Sequence, residues 1–154
     1  MNQTLNLPAF EHQIVEKAGK QLIFDVFRKK YVSLTPEEWV RQHFLHWIVR
    51  EKAYPAGLIA VEASLVYNKM ARRADAIVYG RDGKALMIIE CKASEVKITQ
   101  DVFDQAAMYN FPMGVRYLVI TNGVDHYCCF RENNAWTFLD DVPDYHKLDN
   151  RSQT

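Results

Sequence analysis

The stretch Arg73-Ala74-Asp75-Ala76-Ile77-Val78-Tyr79-Gly80-Arg81-Asp82-Gly83-Lys84-Ala85-Leu86-Met87-Ile88-Ile89-Glu90-Cys91-Lys92 holds two apolar runs hinged on an Asp-Gly pair. Asp-Gly tolerates the positive φ of a tight turn, so the pattern predicts a β-hairpin. With Asp82-Gly83 as a two-residue loop, Arg81 faces Lys84, Asp75 falls opposite Glu90, and Arg73 falls opposite Lys92. Side chains alternate along a strand, which puts Asp75, Glu90 and Lys92 on one side of the sheet.

Outward from the hairpin, residues 58–67 are rich in Ile, Val and Leu and predict a strand that precedes it. Residues 36–52 predict a helix. Thr35 is placed as its N-cap, Pro36 suits the first helical position, and Glu38 completes a capping box. Val40, Phe44, Trp47 and Ile48 give the helix an apolar stripe, and Pro55 and Gly57 stop it. After the hairpin, residues 99–110 predict a second helix capped by Thr99. Residues 115–121 predict a buried strand closed by Asn122-Gly123, and residues 126–130 another. Residues 136–149 suggest a short strand and then an acidic tail. At the N-terminal end, Phe10, Ile14, Val15 and Ala18 have helical spacing across residues 8–19. Residues 20–32 look like a strand followed by the basic run Arg28-Lys29-Lys30. The order helix, three strands, helix, two strands predicts an α/β layer architecture on a central mixed sheet.

The 154 residues fit one domain, with its core over about residues 20–130. Hydrophobic residues at 49% and charged residues at 25% are ordinary for a folded chain and exclude a disordered or disulfide-dense one. No apolar run reaches the roughly 18 residues of a membrane span, and no secretory leader is evident, so no membrane partner is expected. Nineteen basic residues balance nineteen acidic ones, which argues against a strong non-specific nucleic-acid binder but leaves room for a local basic cleft. Three cysteines without a paired CxxC spacing fit reduced thiols and a cytoplasmic location. Cys128 and Cys129 are adjacent and should point to opposite faces of a strand. The five histidines show no metal-ligand spacing. His43 and His46, three apart on the first helix, suit its core edge or surface.

Two carboxylates opposed across a ladder repel each other. Asp75 and Glu90 therefore either hold a divalent cation between them or face water, with Lys92 as a cross-strand salt-bridge partner. Mg²⁺ prefers oxygen ligands and is commonly held by one or two carboxylates with water and substrate phosphate. The main-chain carbonyl of Cys91 could add a third oxygen. Lys92, about 7 Å along the strand, could then neutralise charge on a phosphate or orient a water.

The segments Arg73-Ala74-Asp75 and Ile88-Ile89-Glu90-Cys91-Lys92 resemble the PD-(D/E)xK nuclease core. More closely, Thr35-Pro36-Glu37-Glu38-Trp39-Val40-Arg41-Gln42, then Glu90-Cys91-Lys92-Ala93, residues 105–110 and Tyr117-Leu118-Val119-Ile120-Thr121-Asn122-Gly123 are similar to the N-terminal nuclease domain of type I restriction enzyme R subunits. The resemblance implies a restriction-endonuclease-like three-layer fold and Mg²⁺-dependent (or Mn²⁺-dependent) hydrolysis of DNA. Asp75 and Glu90 would bind the metal, and Lys92 would assist hydrolysis. Gln105 and Tyr109, four apart on one helical face, match the Gln-x-x-x-Tyr motif of related nucleases and would line the site near DNA, with Gln105 orienting. Ala74 stands where the name-giving motif has Pro.

Other residues complete the expectation. Glu62 is a candidate third acid, placed opposite Asp75 if Asn68-Lys69 is a two-residue turn. Glu38 is explained by capping. Arg73 could meet a phosphate, while Arg72 and Lys97 suit a solvated face. No Gly-x-x-x-x-Gly-Lys-Ser/Thr loop is present, so this chain alone is not expected to translocate DNA. The competing expectation is a catalytically silent DNA-binding or assembly module that works with other restriction-modification subunits. Oligomeric state is left open.

Overall fold

The computed structural model describes residues 4–152. In chain order the elements are β1 (Ile14–Lys17), β2 (Lys20–Asp25), β3 (Lys30–Ser33), α1 (Pro36–Glu51), β4 (Ile59–Tyr67), β5 (Met70–Tyr79), β6 (Ala85–Cys91), α2 (Gln100–Asn110), β7 (Tyr117–Thr121), β8 (His126–Glu132), β9 (Ala135–Leu139) and α3 (Tyr145–Ser152). Strands β4 to β9 form one sheet in sequence order, and β1 to β3 form a separate antiparallel meander. Only β6 and β7 pair in parallel within the large sheet, and α2 supplies the crossover that a parallel pair requires.

The sheet carries an apolar layer on each face. Phe44, Ile48 and Leu148, from α1 and α3, pack with Val78, Met87, Ile89 and Val119. Phe103 and Ala107 of α2 pack on the other face with Ile77, Ile88, Leu118 and Ile120. Burying a side chain such as Phe44 or Ile48 contributes roughly 1.5–3 kcal/mol. Cys128 belongs to the first layer and Cys129 to the second, as strand alternation requires. All three cysteines are free and buried. The chain is thus an α/β fold with helices on both sides of a six-stranded mixed sheet. Among the described residues no helix is long and apolar enough to cross a membrane.

The structure corrects four expectations about elements. Residues 8–19 contain no helix: Ile14 and Val15 lie in β1, paired with Ile23 and Leu22. Ala18 and Gly19, both at positive φ, make the turn into β2. Their β-branched neighbours favour a pleated surface, and the pairing overrides a helical spacing built on only four positions. The acidic tail instead contains α3, whose Tyr145 and Leu148 are buried three apart on one face. Residues 20–32 are not one strand: β2 ends at Asp25, β3 begins at Lys30, and Arg28 in the turn between them reaches Asp25 and Glu38. The hairpin loop is also longer than two residues. Gly83 N–H donates to Gly80 O at 3.0 Å and Gly80 N–H to Lys84 O at 2.8 Å, so residues 81–83 form the loop. A register shift between Val78 and Tyr79 offsets the extra residue. From there inward, Val78 faces Met87, Ile77 faces Ile88 and Ala76 faces Ile89, the register that a two-residue loop would have produced.

Candidate active site

β6 runs buried from Leu86 to Ile89 and reaches the protein surface at Glu90. The paired positions of β5 and β6 end at Ala76 and Ile89. Beyond them the Asp75 carboxylate bridges the two strands, its Oδ2 accepting the Cys91 N–H at 2.7 Å. On its other edge β6 stays paired to β7, and Lys92 N–H donates to Thr121 O at 2.8 Å. Asp75 and Glu90 are therefore neighbours at an opening between β5 and β6.

The β4–β5 turn is the two-residue Asn68-Lys69 turn, with both residues at positive φ. Val61 faces Ala76 and Ala63 faces Ala74, so Glu62 lies level with Asp75. At Glu62 itself the backbone takes a φ of 49°, which interrupts the regular strand. Its carboxylate meets arginines: Arg41 Nη2 lies 3.3 Å from Oε1, and Arg28 Nη1 and Arg73 Nη2 each lie 3.5 Å from Oε2.

Helix α1 supplies the charged layer behind Asp75. Thr35 accepts the Glu38 N–H at 3.0 Å, so the cap forms. The Glu38 side chain does not complete a capping box, and this corrects the capping explanation. It is buried and ion-paired to Arg28 and Arg41, with Gln42 Nε2 donating to Oε2 at 3.0 Å. Burial alone would raise the Glu38 carboxyl, but hydrogen bonds from Arg41, Arg28 and Gln42 outweigh it and hold the group below its ordinary range. Arg41 in turn reaches Asp75, with Nη1 3.5 Å from Oδ1. Arg41, Glu38 and Arg28 were missed as site residues. The available signal was the spacing of three between Glu38 and Arg41 on one helical face.

On the other face of the sheet, Glu90, Lys92, Val96, Gln105, Tyr109 and Asn110 line a cleft of about 270 Å³. The four-residue spacing of Gln105 and Tyr109 brings both to this cleft, and Arg72 stacks 4.7 Å over the Tyr109 ring. Asp75 is not in its wall but adjoins it through Glu90; the expectation of one shared side holds for Glu90 and Lys92, while Asp75 Oδ1 turns to Arg41 of α1. Two larger hollows, of about 840 and 700 Å³, contain none of Asp75, Glu90 or Lys92. Asn110, which sequence reasoning did not single out, is buried and lines the cleft.

Glu90 is the unusual group. Its Oε1 is buried with no hydrogen-bond partner. Burial, and then the charge of Asp75, push its carboxyl up to about 7, while Lys92 pulls it down. An unpaired buried carboxylate oxygen is costly, which favours the protonated form of Glu90 or a cation beside it. Among the described residues no three His, Cys, Asp or Glu side chains are grouped to hold a metal. Asp75 and Glu90 nevertheless fit a hard divalent ion, which needs only one or two carboxylates beside water and phosphate. The Cys91 thiol does not suit ligation, because burial raises it well above its ordinary value. Only the Cys91 carbonyl oxygen could serve.

The family profile described as type I restriction enzyme R protein N terminus matches residues 36–143. Among solved structures, the chain is similar to a fragment of a candidate HsdR subunit of a type I restriction enzyme from Vibrio vulnificus YJ016. That match has 17% identity and a TM-score of 0.58, and covers 77% of this chain and 25% of that one. A candidate nuclease of the DUF820 group from Anabaena variabilis ATCC 29413 matches at 9% identity and a TM-score of 0.46, covering 88% of each chain. DrdV in a DNA complex matches at 15% identity and a TM-score of 0.45, covering 74% of this chain and 11% of that one. The chain thus spans about a quarter of the HsdR chain that it resembles. No curated protein matches the sequence.

Proposed function

The chain belongs to the family of type I restriction enzyme R protein N termini, and on that premise we propose that it is a divalent-metal-dependent endonuclease domain that hydrolyses DNA phosphodiester bonds. The observation that carries this reading is the buried, unpaired Glu90 oxygen beside Asp75, in a cleft that also holds Lys92. Asp75 and Glu90 would hold Mg²⁺ or Mn²⁺, and the Cys91 carbonyl could add a third oxygen. The bound ion supplies Lewis acidity and lowers the pKa of a water.

The chain's own groups do the rest. Glu90 would hold the ion as the charged carboxylate, a form that a neighbouring cation favours. Lys92 Nζ stabilises negative charge that develops on the phosphate oxygens. Gln105 orients the attacking water, and Tyr109, backed by Arg72, offers a base a stacking face. Arg73, 66% exposed at its side chain, binds a flanking phosphate. Water oxygen bonds to phosphorus as the bond to the 3′ oxygen breaks. The attacking water gives up one proton to solvent and the 3′ oxygen takes one from solvent, which leaves a 3′-hydroxyl and a 5′-phosphate. In keeping with its family, the chain works beside other restriction-modification subunits.

The test is cleavage of supercoiled plasmid and single-stranded DNA with Mg²⁺ or Mn²⁺. Cleavage is expected from the wild type and is lost in Asp75→Ala and Lys92→Ala. Undiminished cleavage by either variant defeats the assignment. One observation favours the silent module: Arg41 already stands within 3.5 Å of Asp75. DNA binding that needs no metal and leads to no cleavage would establish that reading instead.

A further inference from the structure

Arg41 projects into the acidic layer, yet it is neither an exposed phosphate-binding group nor an ordinary surface ion-pair partner. Its side chain is 8% exposed. The guanidinium touches Glu38, Glu62 and Asp75, the last two at 3.3 and 3.5 Å through different nitrogens. An arginine keeps its charge at every working pH. It also presents a planar fork that can face two carboxylates at once.

Resting on the endonuclease reading of Asp75 and Glu90, we propose that Arg41 is a fixed internal cation standing where a second divalent ion would otherwise bridge Glu62 and Asp75. The cleft then takes one divalent ion, and Glu62 is not a ligand. Three features of the charge arrangement support it. Both oxygens of Glu62 face guanidinium nitrogens, from Arg41 on one side and from Arg28 and Arg73 on the other. Asp75 divides its oxygens between Arg41 and the Cys91 N–H. Glu90 has no guanidinium partner among the ion pairs of the described residues, and its Oε1 has no hydrogen-bond partner.

Arg41 is also held in place. Glu38 lies three residues before it on α1 and is itself fixed by Arg28 and Gln42. A divalent ion entering between Glu62 and Asp75 would meet that immobile positive charge at close range. An ion between Asp75 and Glu90 meets a carboxylate oxygen, Glu90 Oε1, that has no hydrogen-bond partner. Arg41 is thus a positioning residue, acting through Asp75 and Glu62 without touching substrate.

The experiment is Mn²⁺ titration of the full chain by calorimetry, with free Mn²⁺ counted by electron paramagnetic resonance. The wild type is expected to bind one ion. Glu62→Gln is expected to keep one ion with affinity within about threefold, since an exposed charge that is not a ligand acts only through screened electrostatics. Arg41→Gln is expected to gain a second ion, which disappears in the Arg41→Gln/Glu62→Gln double variant. Arg41→Lys keeps one ion. Two ions in the wild type, or loss of the ion in Glu62→Gln, overturn the inference while leaving the endonuclease reading intact. No Mn²⁺ binding by the wild type overturns both. If Arg41→Gln fails to fold, Glu62→Gln and Arg41→Lys decide the matter.

Discussion

Replacing Glu90 by glutamine tests the energetics of the cleft without any assumption about substrate. The carboxyl is raised from an ordinary 4.5 to about 7, first by burial and then by Asp75. At about 1.4 kcal/mol per tenfold change in proton affinity, this corresponds to about 3 kcal/mol. A raised carboxyl means that the folded state binds the proton more tightly than the unfolded chain does. Between pH 4.5 and about 7, the folded state therefore holds more protons, and stability falls as pH rises. Below that window Glu90 carries no penalty, and above it the penalty is complete. The carboxamide of Glu90→Gln is neutral throughout and can still donate to Asp75 as the protonated acid does. Urea denaturation of both proteins from pH 5 to pH 8 is the assay. The variant should exceed the wild type by about 1 kcal/mol at pH 5 and by about 3 kcal/mol at pH 8, with the gap levelling off near pH 7. In the proposed function, saturating Mg²⁺ at pH 8 stabilises the wild type and leaves the variant unmoved. A pH-independent gap, or a variant less stable at pH 8, refutes the reasoning.

Three further outcomes are expected. Glu38→Ala removes the buried carboxylate that joins Arg28 to Arg41 and leaves them Asp25, Glu62 and Asp75, so it should cost about 3 kcal/mol. Thr35→Ala removes only a cap and should cost about 1 kcal/mol; equal losses in urea titrations of the two variants would contradict the buried-network role of Glu38. Gly123 has a φ of +85°, and a Cβ there would lie 2.9 Å from a Leu5 methyl. Gly123→Ala should therefore cost about 1–3 kcal/mol, and a neutral result would show that the chain around Leu5 yields freely. Lys92→Met should lose DNA cleavage yet retain Mn²⁺ binding in calorimetry; loss of the ion as well would make Lys92 part of the metal site rather than a partner of the phosphate.

What the sequence made legible was local, and each success has an identifiable cause. Thr35 and Thr99 cap α1 and α2 because a hydroxyl placed before a helical stripe meets the free N–H groups of the first turn. Asn68-Lys69 closes β4 onto β5 as a two-residue turn, and that alone fixes Glu62 level with Asp75. The register that sets Ala76 against Ile89 also emerged, although the pairing stops before Asp75 and Glu90 and arises by a route that turn chemistry does not disclose. The loop over residues 81–83 adds one residue, and the irregularity at Val78 and Tyr79 removes its effect. No property of Asp82-Gly83 distinguishes a short loop from a longer one with a compensating shift. α3 was hidden for a different reason: its buried stripe rests on Tyr145 and Leu148, too few positions to stand out in a polar segment.

The charged layer was not legible, because its logic is non-local. Glu38 satisfied a local pattern completely, so sequence reasoning had no cause to look further. Its side chain was claimed instead by Arg28, ten residues away in the β2–β3 turn, and by Arg41. A charge-assisted hydrogen bond is about twice as strong as a neutral one, and a buried carboxylate is costly unless paired. Between a solvated capping-box bond and two guanidiniums inside the fold, the guanidiniums prevail. The same competition shapes the candidate site. Carboxylates near an arginine are drawn to it, and Glu90 is left without one because it leaves the sheet toward α2, on the face opposite α1. The division of the acids between the two faces, more than the number of acids in the sequence, therefore marks which carboxylate is open to an added cation.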